Sequence, residues 1–115
     1  MGISKVVSPD EGTAEKLFTP RLYQGFCGLF LKEANEGIVF RFDPTLVPYL
    51  GIWICLGGWP VHRTTKQFTV ALEPCNGRPD SLEEAIKRDE CSLVDGHASR
   101  RWWLEMEVGV SPPGK

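Results

Sequence analysis

The chain has 115 residues, of which 42% are hydrophobic and 24% charged, and its formal net charge is −2. A chain of this length suits one domain with one buried core. Thirteen basic residues against fifteen acidic ones leave no strong positive field. We therefore expect neither a nucleic acid nor an anionic membrane as a partner.

Cysteine usage and the apolar segments indicate where the protein resides. The N-terminal residues lack the apolar core of a signal peptide, and prolines and glycines interrupt the uncharged stretch over residues 44–61. Cys27, Cys55, Cys75 and Cys91 are widely spaced, without a Cys-x-x-Cys pair. We expect free thiols in a reducing cytoplasm, with no metal and no cofactor.

Taken in chain order, residues 1–20 are polar and are predicted to form an irregular N-terminal arm, which is either flexible or an extended lead-in. Runs of aromatic and β-branched residues, in part alternating with polar ones, then predict strands. These strands cover residues 21–32, 38–43, 49–60, 67–73 and 99–110. We expect one β domain over residues 21–110 and a flexible tail over residues 111–115.

One short helix is predicted after the fourth strand. Asp80 or Ser81 can cap it, and each is followed three residues later by a glutamate, which is the capping-box spacing. Its apolar stripe consists of Leu82, Ala85 and Ile86 and is expected to pack against a sheet. The fold class is therefore predicted to be all-β and mainly antiparallel, with one short helix.

The strand over residues 67–73 ends in a carboxylate followed by proline. Small and polar residues share a face with Glu73, which leaves room for a polar ligand, and Pro74 fixes the backbone after it. The alternate positions, expected in the core, are Phe68, Val70 and Leu72. Two interpretations stay open: a ligand contact, or a carboxylate that faces water or pairs with an arginine such as Arg78.

Two tryptophans on the preceding strand add to this interpretation. Trp53 and Trp59 have the same parity, and Gly57-Gly58 allows another backbone to approach closely. Aromatic rings beside a carboxylate suit a sugar, because the rings stack on C–H groups while the acid binds hydroxyls. The alternative is that both tryptophans belong to the core.

The segments "DPTLVPYLGIWICLGGWP" (residues 43–60) and "FTVALEPCNGRPDSLEEA" (residues 68–85) resemble the C-terminal part of the aldose 1-epimerase (galactose mutarotase-like) family. The resemblance extends over roughly residues 23–110. It implies a partial galactose mutarotase-like β-supersandwich. The family's Glu-Pro corner and following Pro-Asp correspond here to Glu73-Pro74 and Pro79-Asp80.

The resemblance implies that Glu73 is the general base that interconverts the anomers of an aldose. In the family, a histidine protonates the ring oxygen while the base takes the proton of the anomeric hydroxyl. The residues expected to contact the sugar here are Trp53, Trp59, His62, Arg78 and Asp80.

This sequence departs from the family pattern in its histidines, which in the family lie on strands upstream of the matching region. His62 is the candidate proton donor, whereas His97 resembles a turn residue. The alternative function is a noncatalytic carbohydrate-binding or structural remnant of the fold. A partial supersandwich would expose strand edges and a sheet face, so we expect a homodimer or association with a complementary N-terminal chain.

Overall fold

The computed structural model describes residues 12–109, which form six strands and one helix. The elements are β1 (Thr13–Phe18), β2 (Phe26–Leu31), β3 (Glu36–Phe42), β4 (Tyr49–Leu56), β5 (Phe68–Cys75), α1 (Leu82–Lys87) and β6 (Leu104–Val108). The strands form two three-stranded sheets, in the orders β1-β4-β5 and β2-β3-β6. The predicted mainly antiparallel β fold with one short helix is confirmed.

The described residues divide into two compact units, one comprising residues 12–17 and 52–71, the other residues 18–51 and 72–109. The predicted β domain over residues 21–110 stays a prediction. The predicted tail over residues 111–115 lies outside the described residues.

The prediction of an irregular arm over residues 1–20 is wrong for residues 13–18, which form the edge strand β1. Backbone pairing with β4 holds this strand. The Gly12 amide donates to the Leu56 carbonyl at 2.7 Å, and the Thr19 amide donates to the Leu50 carbonyl at 2.9 Å. The sequence of β1 has few large apolar residues, so its pairing is a tertiary effect that local pattern does not reveal.

Strand β3 is the centre of the second sheet and pairs antiparallel with both neighbours. Its register with β6 runs from Ile38 opposite Val108 to Phe42 opposite Leu104. Asn35, in the turn before β3, adopts a φ of 50°, as its turn chemistry predicts. On one face of this sheet, the Arg41 guanidinium lies 2.7 Å from Glu107 and 3.3 Å from Glu105.

The other face of this sheet presents apolar side chains to solvent along β6 and at the end of β2. Leu104, Met106 and Val108 of β6 are 43%, 57% and 70% exposed, and Leu31 of β2 is 58% exposed. These four residues are called the apolar sheet face below. All five residues of β6 are exposed, so the prediction that only one face of this strand is exposed is wrong.

The most deeply buried side chains are Leu50, Val39 and Cys55. Phe68, predicted in the core, is 57% exposed, because it begins β5 at the edge of its sheet. The predicted helix stripe is also wrong for Leu82 and Ile86, which are 68% and 56% exposed, whereas Ala85 is buried. A helix of six residues is too short to bury a whole stripe against a sheet.

Capping defines both ends of this helix. The Ser81 hydroxyl accepts a hydrogen bond from the Glu84 amide at 3.3 Å, so Ser81 is the N-cap. At the other end, the Glu90 amide donates to the Ala85 carbonyl at 2.9 Å. Among residues 12–109, no helix is long and apolar enough to cross a bilayer.

Candidate functional site

Glu73 lies in β5 and is half-buried. The strand continues through Pro74 to Cys75, two residues beyond the predicted end at Glu73. Proline is compatible with this position because β5 is an edge strand, where one side of the backbone needs no ladder donor. The carboxylate is therefore carried by regular strand backbone, directly before the turn that leads to α1.

A cavity of about 340 Å³ lies beside the end of β5. Two exposed aromatic residues line it, Trp102 at 64% and Trp103 at 51% exposure. The other lining residues are Val47, Pro74, Cys75, Asn76 and Leu104. This cavity is called the tryptophan cavity below. Glu73 directly precedes the residues of β5 that form its wall.

A second cavity of about 290 Å³ belongs to the same compact unit and is lined mainly by polar residues. It is lined by Arg21, Thr45, Pro48, Tyr49, Asn76, Cys91, Ser92, Leu93 and Arg100. This cavity is called the arginine cavity below. Asn76 lines both cavities, so they adjoin at the corner after β5.

Arg78 holds this corner in place through four contacts. Its Nε and Nη2 atoms donate to the two carboxylate oxygens of Glu90 at 2.9 and 3.0 Å. Its Nη1 atom donates to the Thr19 carbonyl at 2.6 Å, and the guanidinium carbon lies 4.8 Å from the centre of the Tyr49 ring. The predicted sugar contact of Arg78 stays a prediction, but the guanidinium already has protein partners.

The ion pair and its neighbours shift the pKa values of both groups. The hydrogen bonds from Arg78 lower the pKa of Glu90 below its ordinary value, and those same bonds raise the pKa of Arg78. Thr19, which is 5% exposed, is satisfied as well, because its hydroxyl accepts from the Leu50 amide at 3.0 Å. The pair thus connects the segments after β1, β5 and α1 with the start of β4.

The first compact unit contains the remaining predicted sugar contacts. Trp53 is half-buried in β4, Trp59 is 46% exposed and His62 is exposed. The prediction for the glycine pair is confirmed at Gly58, whose amide donates to the Thr13 carbonyl at 3.0 Å and whose Cα leaves no room for a side chain. Sugar contacts of Trp53, Trp59 and His62 stay predictions.

The second compact unit contains Glu73, Arg78 and Asp80, and Asp80 is exposed. His97 lies in a turn with a φ of 61°, as predicted. Sequence reasoning missed the exposed pair Trp102-Trp103, which it placed in a strand. Adjacent strand residues point to opposite faces, so two neighbouring tryptophans could not both enter one core, and this was the available signal.

All four cysteines are free thiols, and Cys27 and Cys55 are buried. Burial raises the pKa of Cys27 to about 11, which suppresses its thiolate at neutral pH. Within the described ranges, no group of three or more His, Cys, Asp or Glu residues could hold a metal ion.

The Glu90 carboxylate makes stability depend on pH. Its pKa is lowered in the folded state, so ionisation of this group stabilises the fold above its ordinary pKa of 4.5, and that contribution is lost as pH falls through the lower folded-state value. The free energy of unfolding is measured by urea denaturation between pH 7 and pH 3. We expect it to fall less steeply towards pH 3 in Glu90→Gln than in the wild type. Glu33→Gln, at an exposed turn residue, serves as the control and should retain it. If the free energy of unfolding of Glu90→Gln fell with pH as steeply as that of the wild type, Glu90 would not be the source of this pH dependence.

Comparison of the chain with protein-family models, with curated proteins and with solved structures finds no match in any of the three.

Proposed function

We propose that this chain binds an aldose in the manner of the aldose 1-epimerase family, with Glu73 as the general base for interconversion of its anomers. The observation that carries the proposal is the half-buried Glu73 in the strand that forms a wall of the tryptophan cavity. A cytoplasmic location is part of this proposal, and the four free thiols support it.

The tryptophan cavity has the composition that a sugar ring requires. Trp102 and Trp103 offer exposed aromatic surface on which a sugar ring can stack. Two large aromatic rings exposed side by side are typical of a surface that binds a ligand or a partner. Asn76, next to the aromatic surface, supplies amide donors and an acceptor for hydroxyl groups. A concave site with apolar walls and few polar groups is typical of small-molecule binding.

The proposed reaction moves protons and electron pairs within the sugar without net change in its composition. Glu73 takes the proton of the anomeric hydroxyl, the oxygen electrons form the C1 carbonyl, and the bond from C1 to the ring oxygen breaks. An acid protonates the ring oxygen. Rotation about the C1–C2 bond and closure on the other face, with the proton transfers reversed, give the second anomer.

Substitution of Glu73 tests the catalytic part of the proposal. Fresh α-D-glucose and α-D-galactose are followed by polarimetry with and without the protein. We expect the wild-type chain to accelerate equilibration and Glu73→Gln to lose roughly 100-fold or more of that acceleration, because the variant cannot accept the proton. Glu33→Gln, an exposed carboxylate in a turn, should retain the wild-type rate.

The noncatalytic alternative predicts a different pattern in the same assay. Sugar binding detected by saturation-transfer NMR without any acceleration would replace the epimerase proposal with a carbohydrate-binding module. Neither binding nor acceleration for any aldose would contradict both.

Substitution of the tryptophans tests which aromatic surface the sugar contacts. Trp103→Ala should weaken aldose binding in NMR titrations by roughly 10-fold, because the ring loses its stacking surface, about 1.4 kcal/mol of affinity. Trp59→Ala is the comparison, since Trp59 is exposed to a similar extent, 46% against 51%. A loss of binding in Trp59→Ala alone would favour the sequence-based assignment and contradict the tryptophan cavity.

We also propose that two copies of the chain associate through the apolar sheet face. Its four residues expose 43–70% of their surface, and contiguous exposed apolar surface of this kind is typical of interaction sites. Edge-to-edge pairing of two β6 strands about a two-fold axis is disfavoured, since it would place Glu105 opposite a second Glu107. Packing face to face avoids this repulsion, and the net charge of −2 opposes it only weakly.

Light scattering of the full chain tests this association. We expect a mass twice that of one chain, shifting to the single-chain mass in Met106→Lys, which would bury a charge in the interface. Val94→Lys, at a loop residue 60% exposed, should leave the dimer intact. A single-chain mass for the wild type at all accessible concentrations would contradict the proposal.

A further inference from the structure

We propose that the arginine cavity binds the phosphate group of a phosphorylated aldose, an inference that rests on the proposed sugar binding and specifies its substrate class. The cavity is lined by two guanidinium groups, Arg21 and Arg100, together with the hydroxyls of Thr45 and Ser92 and the amide of Asn76. Every one of these side chains can donate a hydrogen bond. No acidic residue is among the lining residues.

The charge of the lining suits a phosphate monoester. A phosphate monoester carries roughly −1.5 to −2 charges at neutral pH, and two arginines match this charge. Arginine also presents its donors in a planar fork that can contact two phosphate oxygens at once. The Asn76 side-chain amide, which lines the cavity with the arginines, adds a further donor.

The positive charge of the two arginines is not cancelled by an ion pair. Within residues 12–109, neither Arg21 nor Arg100 has a carboxylate at ion-pair distance. Arg78, by contrast, is neutralised by Glu90, which Arg21 also attracts at longer range. The Asp43 carboxylate, next to the lining residue Thr45, accepts hydrogen bonds from the Thr45 hydroxyl at 2.7 Å and the Thr45 amide at 2.9 Å.

Arg21 is oriented before any ligand binds. Its Nη2 atom donates to the Tyr49 hydroxyl at 3.4 Å, and its guanidinium carbon lies 5.5 Å from the centre of the Tyr49 ring. Tyr49 is 2% exposed and therefore forms a fixed support. A guanidinium that is oriented by an uncharged partner keeps its charge available for an anion.

Hydrogen bonds also fix the part of the cavity lining that Asn76 and Ser92 form. The Ser92 hydroxyl donates to the Asn76 carbonyl at 3.4 Å, and the Arg78 amide donates to the Glu90 carbonyl at 2.9 Å. These bonds hold the segment after α1 alongside the corner after β5. Ser92 and Asn76 are thereby kept near one another.

The two cavities adjoin, which is why one ligand is expected to occupy both. Asn76 lines each of them, and Arg100 lies two residues before Trp102, so their Cα atoms are at most about 7 Å apart. A sugar ring stacked in the tryptophan cavity would extend its phosphate past Asn76 towards the arginines. Neutral sugars would use only the first cavity.

The experiment compares D-glucose, D-glucose 6-phosphate, D-glucuronate and inorganic phosphate by NMR titration and calorimetry. We expect glucose 6-phosphate to bind at least roughly 10-fold more tightly than glucose, the effect of about one charge-assisted hydrogen bond. Arg100→Gln should remove this difference and leave glucose binding unchanged. Arg101→Gln is the matched control, since Arg101 is also exposed but does not line the cavity, and should change affinity less than about 2-fold.

Labelling of a cavity cysteine locates the bound anion. Cys91 lines the arginine cavity, so saturating phosphate should slow its alkylation in the wild type but not in Arg100→Gln. Cys27 is buried, with a pKa of about 11, and serves as the unreactive internal reference.

The outcomes separate this inference from the proposed function. Equal affinity for glucose and glucose 6-phosphate, a preference for glucuronate, or equal losses in Arg100→Gln and Arg101→Gln would each overturn the phosphate assignment, and the sugar site would stand. Binding of inorganic phosphate that is lost in Arg100→Gln, without binding of any sugar, would instead support the anion site and overturn the proposed function.

Discussion

The corner after β5 depends on one arginine. The Arg78 guanidinium donates hydrogen bonds to both carboxylate oxygens of Glu90 and to the Thr19 carbonyl. It also lies over the Tyr49 ring. Both members of the pair are largely shielded, with 27% and 21% of their side chains exposed, so removal of either would leave a partly desolvated charge behind. The pair therefore joins four segments that are distant in sequence and adds to the backbone hydrogen bonds between them.

That constraint reaches the candidate site through Asn76, which precedes Arg78 by two residues and lines both cavities. A binding site whose walls are fixed by hydrogen bonds loses little entropy when its ligand arrives. Among the residues that the structure describes, no buried side-chain nitrogen or oxygen lacks a hydrogen-bond partner. The guanidinium of Arg100, which lines the arginine cavity, is among the exposed polar groups that a ligand can contact.

The sheet β2-β3-β6 combines two opposite surface properties. One face carries Arg41 between Glu105 and Glu107, and the hydrogen bond that Arg41 donates to Glu107, together with the charges of both carboxylates, raises the pKa of the arginine. The opposite face of the same strand exposes apolar side chains. Because apolar and acidic residues alternate along β6, its charged side chains lie on one face and its apolar side chains on the other. The charged side chains oppose edge-to-edge pairing, and we propose that two copies associate through the apolar sheet face.

The sequence by itself determined the secondary structure in outline. Alternation and turn residues located β2 to β6 to within a few residues at most ends, and the spacing from Ser81 to Glu84 located the helix start, because these signals are local. It also singled out Glu73, which proves to be half-buried. Only the tertiary structure revealed β1, because an edge strand is recruited by backbone bonds to a partner over thirty residues away in sequence. The cavities of Trp102 and Arg100, and the pairing of Arg78 with Glu90, were likewise decided by long-range packing, which no local pattern encodes.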